Sequence, residues 1–199
     1  MFDIELIVFA VVAVFVLSRL YAVLGKKTGA EPPPSVVREA TERRTQQDAP
    51  QQQSPLRPAF TGPGAVGMEE IAALDTNFAP DSFLSGAKKA YEMIVTAFAE
   101  GEKDTLSQFL SEDVFEAYSA AIDAREADEK EPMRLLRLKS GEIADAELVQ
   151  GDTARVSVSF EAELSDGEIQ RTAKEIWTFE RLAKSKDPNW RLVEVSEAS

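Results

Sequence analysis

The sequence predicts an α+β fold, a helical half followed by an antiparallel meander, carried behind a single N-terminal transmembrane helix. Three observations predict it. Residues 4–24 are nearly all apolar, apolar residues recur at spacings of three and four between Leu84 and Ile122, and after Pro132 the period changes to two. Helices first and consecutive strands after, with short turns between them, is the pattern of α+β rather than of alternating α/β.

The first element is the anchor. At about 1.5 Å per residue, a helix over residues 4–24 spans roughly 31 Å, the thickness of a bilayer's hydrocarbon core. A secretory signal wants a basic start and a small-residue cleavage site, whereas this chain begins with Asp3 and Glu5 and runs past Ser18-Arg19 into Leu20–Leu24. An uncleaved span is expected, with Ile4, Leu6, Phe9, Val12, Phe15, Leu17, Leu20 and Leu24 in the membrane. Arg19 can snorkel to the headgroups, and Lys26 and Lys27 follow at once. Basic residues at the C-terminal end against acids at the N-terminal end place the rest of the chain on the cytoplasmic side.

Residues 1–27 thus form the anchor and juxtamembrane segment, and residues 28–67 a linker. The linker holds seven of the ten prolines, five glutamines and four glycines. Such a composition cannot bury enough apolar surface to order itself, and as a coil it spans roughly 35 Å root-mean-square. A folded domain is expected over 68–199.

Within that domain the first clear helix begins after Pro80, capped by Asp81 or Ser82. Leu84, Ala87, Tyr91, Ile94, Val95 and Phe98 form its apolar face, and Gly101 supplies a left-handed stop. A short helix over Lys103–Leu110 follows. Ser111 caps a third, in which Val114, Phe115, Tyr118, Ala121 and Ile122 share a face and Glu112 and Asp113 occupy the first turn. Four strands are then expected: one around Ile143–Val149, one with Val156, Val158, Phe160, Ala162 and Leu164 on one face, one including Ile176–Phe179, and Trp190–Val195. Ser165-Asp166-Gly167-Glu168 reads as a hairpin turn.

Composition excludes several kinds of chemistry. The chain has neither cysteine nor histidine, which removes disulfides, thiolate catalysis, cysteine-ligated metal and histidine triads. From residue 68 onward 29 Asp and Glu face 15 Lys and Arg, so the charge belongs to the domain. That surface repels phosphate backbones, which argues against nucleic acid and for basic partners.

Several linked motifs resemble one family. Val23-Leu24-Gly25-Lys26-Lys27-Thr28-Gly29 with Glu31-Pro32-Pro33, Phe83-Leu84-Ser85-Gly86-Ala87-Lys88, Tyr91-Glu92, Ile94-Val95 and Leu110-Ser111-Glu112-Asp113-Val114-Phe115 are similar to bacterial membrane proteins bearing the domain of translocase of the inner membrane subunit forty-four. Glu175-Ile176-Trp177-Thr178-Phe179 and Asp187-Pro188-Asn189-Trp190 match the domain's last two strands. The resemblance implies a cone-shaped domain, with an outline like nuclear transport factor two, of about three helices on a four-stranded antiparallel sheet around an apolar pocket. It also implies an adaptor at the bacterial inner membrane, with the mitochondrial inner membrane as the alternative, and a protein partner such as a chaperone, translocon, ribosome or membrane-protein client.

Phe98, Phe109, Phe115, Tyr118, Phe160, Trp177, Phe179 and Trp190 either line a pocket for an acyl chain or a partner's apolar residue, or form the core. Glu126, Asp128, Glu129 and Glu131 lack calcium-loop spacing and read as a solvated helix end. No cofactor, metal or catalytic residue is expected. The competing readings are lipid or small-apolar-ligand binding and an isomerase or dehydratase. For the latter, Asp145 or Glu147 with Tyr118 would supply base and electrophile. A carboxylate inside the fold within hydrogen-bonding reach of a tyrosine favours the enzyme, and outward carboxylates oppose it.

Overall fold

The computed structural model describes residues 60–198. The expected anchor, with Ile4 through Leu24, and the expected linker up to residue 59 lie outside the described residues. Among the described residues no helix is long and apolar enough to cross a membrane.

Helix α1, Ala65–Leu74, starts before the expected resumption of order near Met68 and was not predicted as a helix. Its signals were hidden in a glycine- and proline-rich stretch, where Gly62, Gly64 and Gly67 resemble linker residues. In the fold two of these glycines make a close approach. Gly64 is left-handed at φ 71°, and a Cβ on Gly67 would run into the Ala146 carbonyl oxygen. Backbone therefore meets backbone, and Met68 and Ile71 on the same helix are buried. The helix ends at Asp75, which forms a largely buried ion pair with Arg181.

Helix α2, Pro80–Glu100, starts one residue earlier than the expected caps, with Pro80 in the first turn, where its missing N–H leaves nothing unpaired. Phe83, Ala87, Tyr91, Ile94 and Ala97 are buried, whereas Leu84, Val95 and Phe98 are half-buried and pack around them. Gly101 ends the helix at φ 74°, as expected, and the Glu102 N–H donates to the Ala97 carbonyl. Arg125 donates to the Phe98 and Ala99 carbonyls, which closes the same helix end from across the bundle. Helix α3, Lys103–Phe109, and helix α4, Glu112–Ala127, lie as expected. Ser111 holds the N-cap position of α4, but its side chain caps nothing; its N–H instead donates to Leu192 at the sheet's edge.

The strands β1, Arg134–Val149, β2, Thr153–Ser165, β3, Gln170–Leu182, and β4, Arg191–Glu197, form one antiparallel sheet in sequence order. β1 is far longer than the predicted Ile143–Val149. Its pairing with β2 shifts register between Leu135 and Arg137, Leu138 and Ser140, and Ile143 and Asp145. Each shift changes which residues face inward, so no period of two survives in the sequence. Bulges also bend and twist a strand.

The inner face carries Ala154, Val156, Val158, Phe160 and Ala162, all buried, opposite Phe179 and Trp177 on β3. The outer face is a set of charge pairs: Arg137 with Glu163 at 3.0 Å, Lys139 with Glu161, and Arg155 between Glu147 at 3.2 Å and Glu180 at 2.7 Å. Pairs this exposed each contribute about 0–1 kcal/mol. The sheet therefore owes its attachment to the apolar inner face.

Gly67→Ala is expected to destabilise the domain by about 1–3 kcal/mol or more, because the added methyl meets strand backbone that cannot rotate away. Gly86 lies in the exposed middle of α2 with nothing near its absent Cβ, so Gly86→Ala should stabilise by roughly 0.5–1 kcal/mol. Urea denaturation of the two variants beside the parent checks both signs.

Candidate functional site

The inner face of the sheet gathers the aromatic residues in a continuous chain. Phe78 lies 6.2 Å from Phe83, and Phe83 lies 4.7 Å from Trp190 and 6.0 Å from Phe179. Phe179 is followed by Trp177 at 6.3 Å, and Tyr91 packs 4.6 Å from both Trp177 and Phe160. At one end Arg181 stacks over Trp190 at 4.9 Å, its charge met by Asp75. The other end holds a carboxylate.

Glu175 is two residues before Trp177 on β3 and opposite Phe160 on β2, so strand alternation turns its side chain to the inner face. Its Oε2 accepts a hydrogen bond from the Trp177 indole Nε1 at 3.0 Å, and the Tyr91 hydroxyl lies at 3.5 Å from the same atom. Burial raises Glu175 above the usual carboxylate range; the two hydrogen bonds oppose that shift, and the neighbouring Glu197 on β4 adds to it. Burial likewise raises the Tyr91 and Tyr118 phenols well above their ordinary value, with the Glu175 carboxylate as the next cause at each. Both tyrosines are neutral hydroxyl donors near one acid.

The eight expected pocket residues belong to one core, three of them inside it and Phe98, Phe109, Phe115, Tyr118 and Trp190 partly buried against it. Phe160, Trp177 and Phe179 are fully buried in the core, and Trp190 closes the chain beside Phe83. Phe98 and Tyr118 make a separate edge-on pair at 5.0 Å, with Arg125 over the Phe98 ring at 5.3 Å. Phe109 and Phe115 are half-buried supports of the core. Phe98 and Tyr118 pack against the same core as the main chain of rings.

Asp145 and Glu147, the carboxylates expected for acid–base chemistry, are exposed on the outward side of β1, and Glu147 pairs with Arg155. Their geometry opposes the enzyme reading at those residues. The inward carboxylate is Glu175, which sequence reasoning passed over although it shares parity with Trp177 and Phe179. The acids from Glu126 to Glu131 are exposed at the end of α4, and Asp128 meets Lys130 at 3.0 Å. Asp187-Pro188-Asn189-Trp190 is a turn, with the Asn189 N–H donating to the Asp187 carboxylate at 3.0 Å.

Comparison with known proteins gives a match over residues 64–197 to the family model described as Tim44-like domain. Among solved structures, the chain is similar to the crystal structure of the intermembrane space region of chloroplast protein ARC6. The TM-score is 0.47 and the identity 17%, over 62% of this chain and 99% of that one. No curated protein matches.

Because Glu175 titrates higher in the fold than in the unfolded chain, it favours folding below its unfolded value and loses that contribution as pH rises through its folded value. Glu175→Gln keeps an acceptor for Trp177 and Tyr91 but carries no charge. The variant is expected to melt a few degrees higher at pH 7, with the difference shrinking toward pH 4. Thermal denaturation across that range checks it; a constant or reversed difference would mean the carboxylate is not penalised by burial.

Proposed function

Because the chain belongs to the Tim44-like domain family, we propose that it is a membrane-anchored adaptor that holds a protein partner at the bacterial inner membrane, with the domain in the cytoplasm, in protein transport or membrane-protein biogenesis. One observation carries this reading: a 21-residue apolar segment is joined through a proline- and glutamine-rich stretch to a single Tim44-like domain. Anchoring confines the domain to a thin shell at the membrane and raises its effective concentration for partners there. The acidic balance of the domain supports a basic client and opposes adhesion to anionic headgroups.

A second reading, proton transfer in an isomerase or dehydratase, draws support from Glu175 within reach of Tyr91. Its weakness is chemical. The Tyr91 hydroxyl and the Trp177 N–H both point at the carboxylate itself, which suits mutual satisfaction of polar groups better than abstraction of a substrate proton.

Crosslinking of the full-length protein in its native membrane, followed by mass spectrometry, tests the adaptor, with a chain lacking residues 1–27 as control. Chaperone, translocon, ribosomal or other membrane-protein subunits captured only with the anchor are the expected result. Capture of nothing specific by a folded protein would shift weight to a lipid or small apolar ligand.

A further inference from the structure

We propose that Glu175, with Glu197 beside it and the Tyr91 hydroxyl and Trp177 indole N–H directed at it, is the acceptor for a basic side chain, lysine or arginine, of the partner polypeptide. The inference rests on the adaptor reading for the kind of molecule that brings the cation, and on the inner face for its chemistry.

The carboxylate is only partly exposed and no Lys or Arg of the described residues pairs with it. Its register neighbour across the ladder is Glu197, a second acid. The contrast with the rest of the sheet is sharp. On the outer face Glu147, Glu161, Glu163 and Glu180 each meet a lysine or arginine, and the largely buried Asp75 meets Arg181. An acid left without a counter-charge in a half-buried place costs stability.

Hydrogen-bond satisfaction does not explain the charge. Trp177 and Tyr91 both address Oε2, so a glutamine at the same position would serve both donors without the penalty of a buried ion. Oε1 takes no hydrogen bond from the described residues. An ammonium or guanidinium reaching that oxygen would complete a charge-assisted hydrogen-bonded ion pair. The excess of 29 acids over 15 bases from residue 68 onward steers a basic segment toward the domain before the contact forms.

The test uses full-length protein in non-ionic dodecylmaltoside micelles and two fluorescein-labelled probes, a peptide of alternating leucine and lysine and its counterpart with glutamine replacing lysine. Fluorescence anisotropy should show the lysine peptide binding roughly tenfold tighter or more. Glu175→Gln should abolish that preference, whereas Glu163→Gln, which removes the same charge from the outer face, should leave it intact. Equal binding of the two peptides, or equal losses in the two variants, would overturn the proposal, the latter by reducing it to a diffuse field. A Glu175-dependent change in tryptophan emission with phosphatidylcholine vesicles, without any lysine preference, would overturn it in favour of a choline headgroup. Specific capture in the membrane crosslinking experiment together with no lysine preference would leave the adaptor standing and remove only this site. Melting curves confirm that each variant is folded.

Discussion

The Tyr91 ring, wedged 4.6 Å from both Phe160 and Trp177, is the contact on which the rest of the domain depends. It fixes helix α2 against the two central strands, and the buried positions one and two turns away, Ala87, Ile94 and Ala97, follow from that placement by helical geometry. Wedging a tyrosine beside a tryptophan has a polar consequence. Each brings one donor into an apolar interior, where an unpaired donor costs about 1–3 kcal/mol. Glu175 answers both, so the acid belongs to the same structural decision as the aromatic pair.

Charge is handled differently on the two faces of the sheet. Outside, acids and bases alternate across neighbouring strands, and the central Ser157 and Thr178 share a hydrogen bond at 2.9 Å between them. Inside, the aromatic chain is closed by an arginine at one end and an acid at the other. Arg181 is neutralised by Asp75 at the end of α1, and that pair links the first helix to the far end of β3. Gly64 and Gly67 bring the same helix onto β1. Helix α1 is thus held to the sheet at both of its ends, by backbone proximity at one and by an ion pair at the other.

What the sequence made legible follows the same physics. β2 alternates without a bulge, and every inward residue expected from Val156 to Ala162 is buried. Helix α2 was readable from its apolar stripe, although the stripe is centred nearer Phe83 than the spacing implied. Three register shifts in β1 erased its period, so half of that strand was missed. α1 was missed because glycines needed for close packing look the same, in one dimension, as glycines in a tether. Of the candidate site, the aromatic members were found as a composition but not as an arrangement. Phe98 and Tyr118 separate from the main chain of rings only when α4 is placed. Glu175 was legible in principle, since a charged residue two before a buried tryptophan in a strand must share its face.

A single ion pair at a partly solvated site is a weak handle, since much of what it gains in Coulomb energy is lost in desolvating both groups. Weak handles become useful when diffusion in three dimensions is removed. Under the adaptor reading proposed above, an apolar segment that holds the domain at the membrane raises the local concentration of partners there, and a modest site is then occupied often. Under that proposal the apolar segment would supply occupancy, the acidic field encounter, and the inner carboxylate discrimination among side chains. Each of the three is separately removable, which is why a partner lost on deleting the apolar segment and a partner lost on neutralising Glu175 would report different links of the same chain.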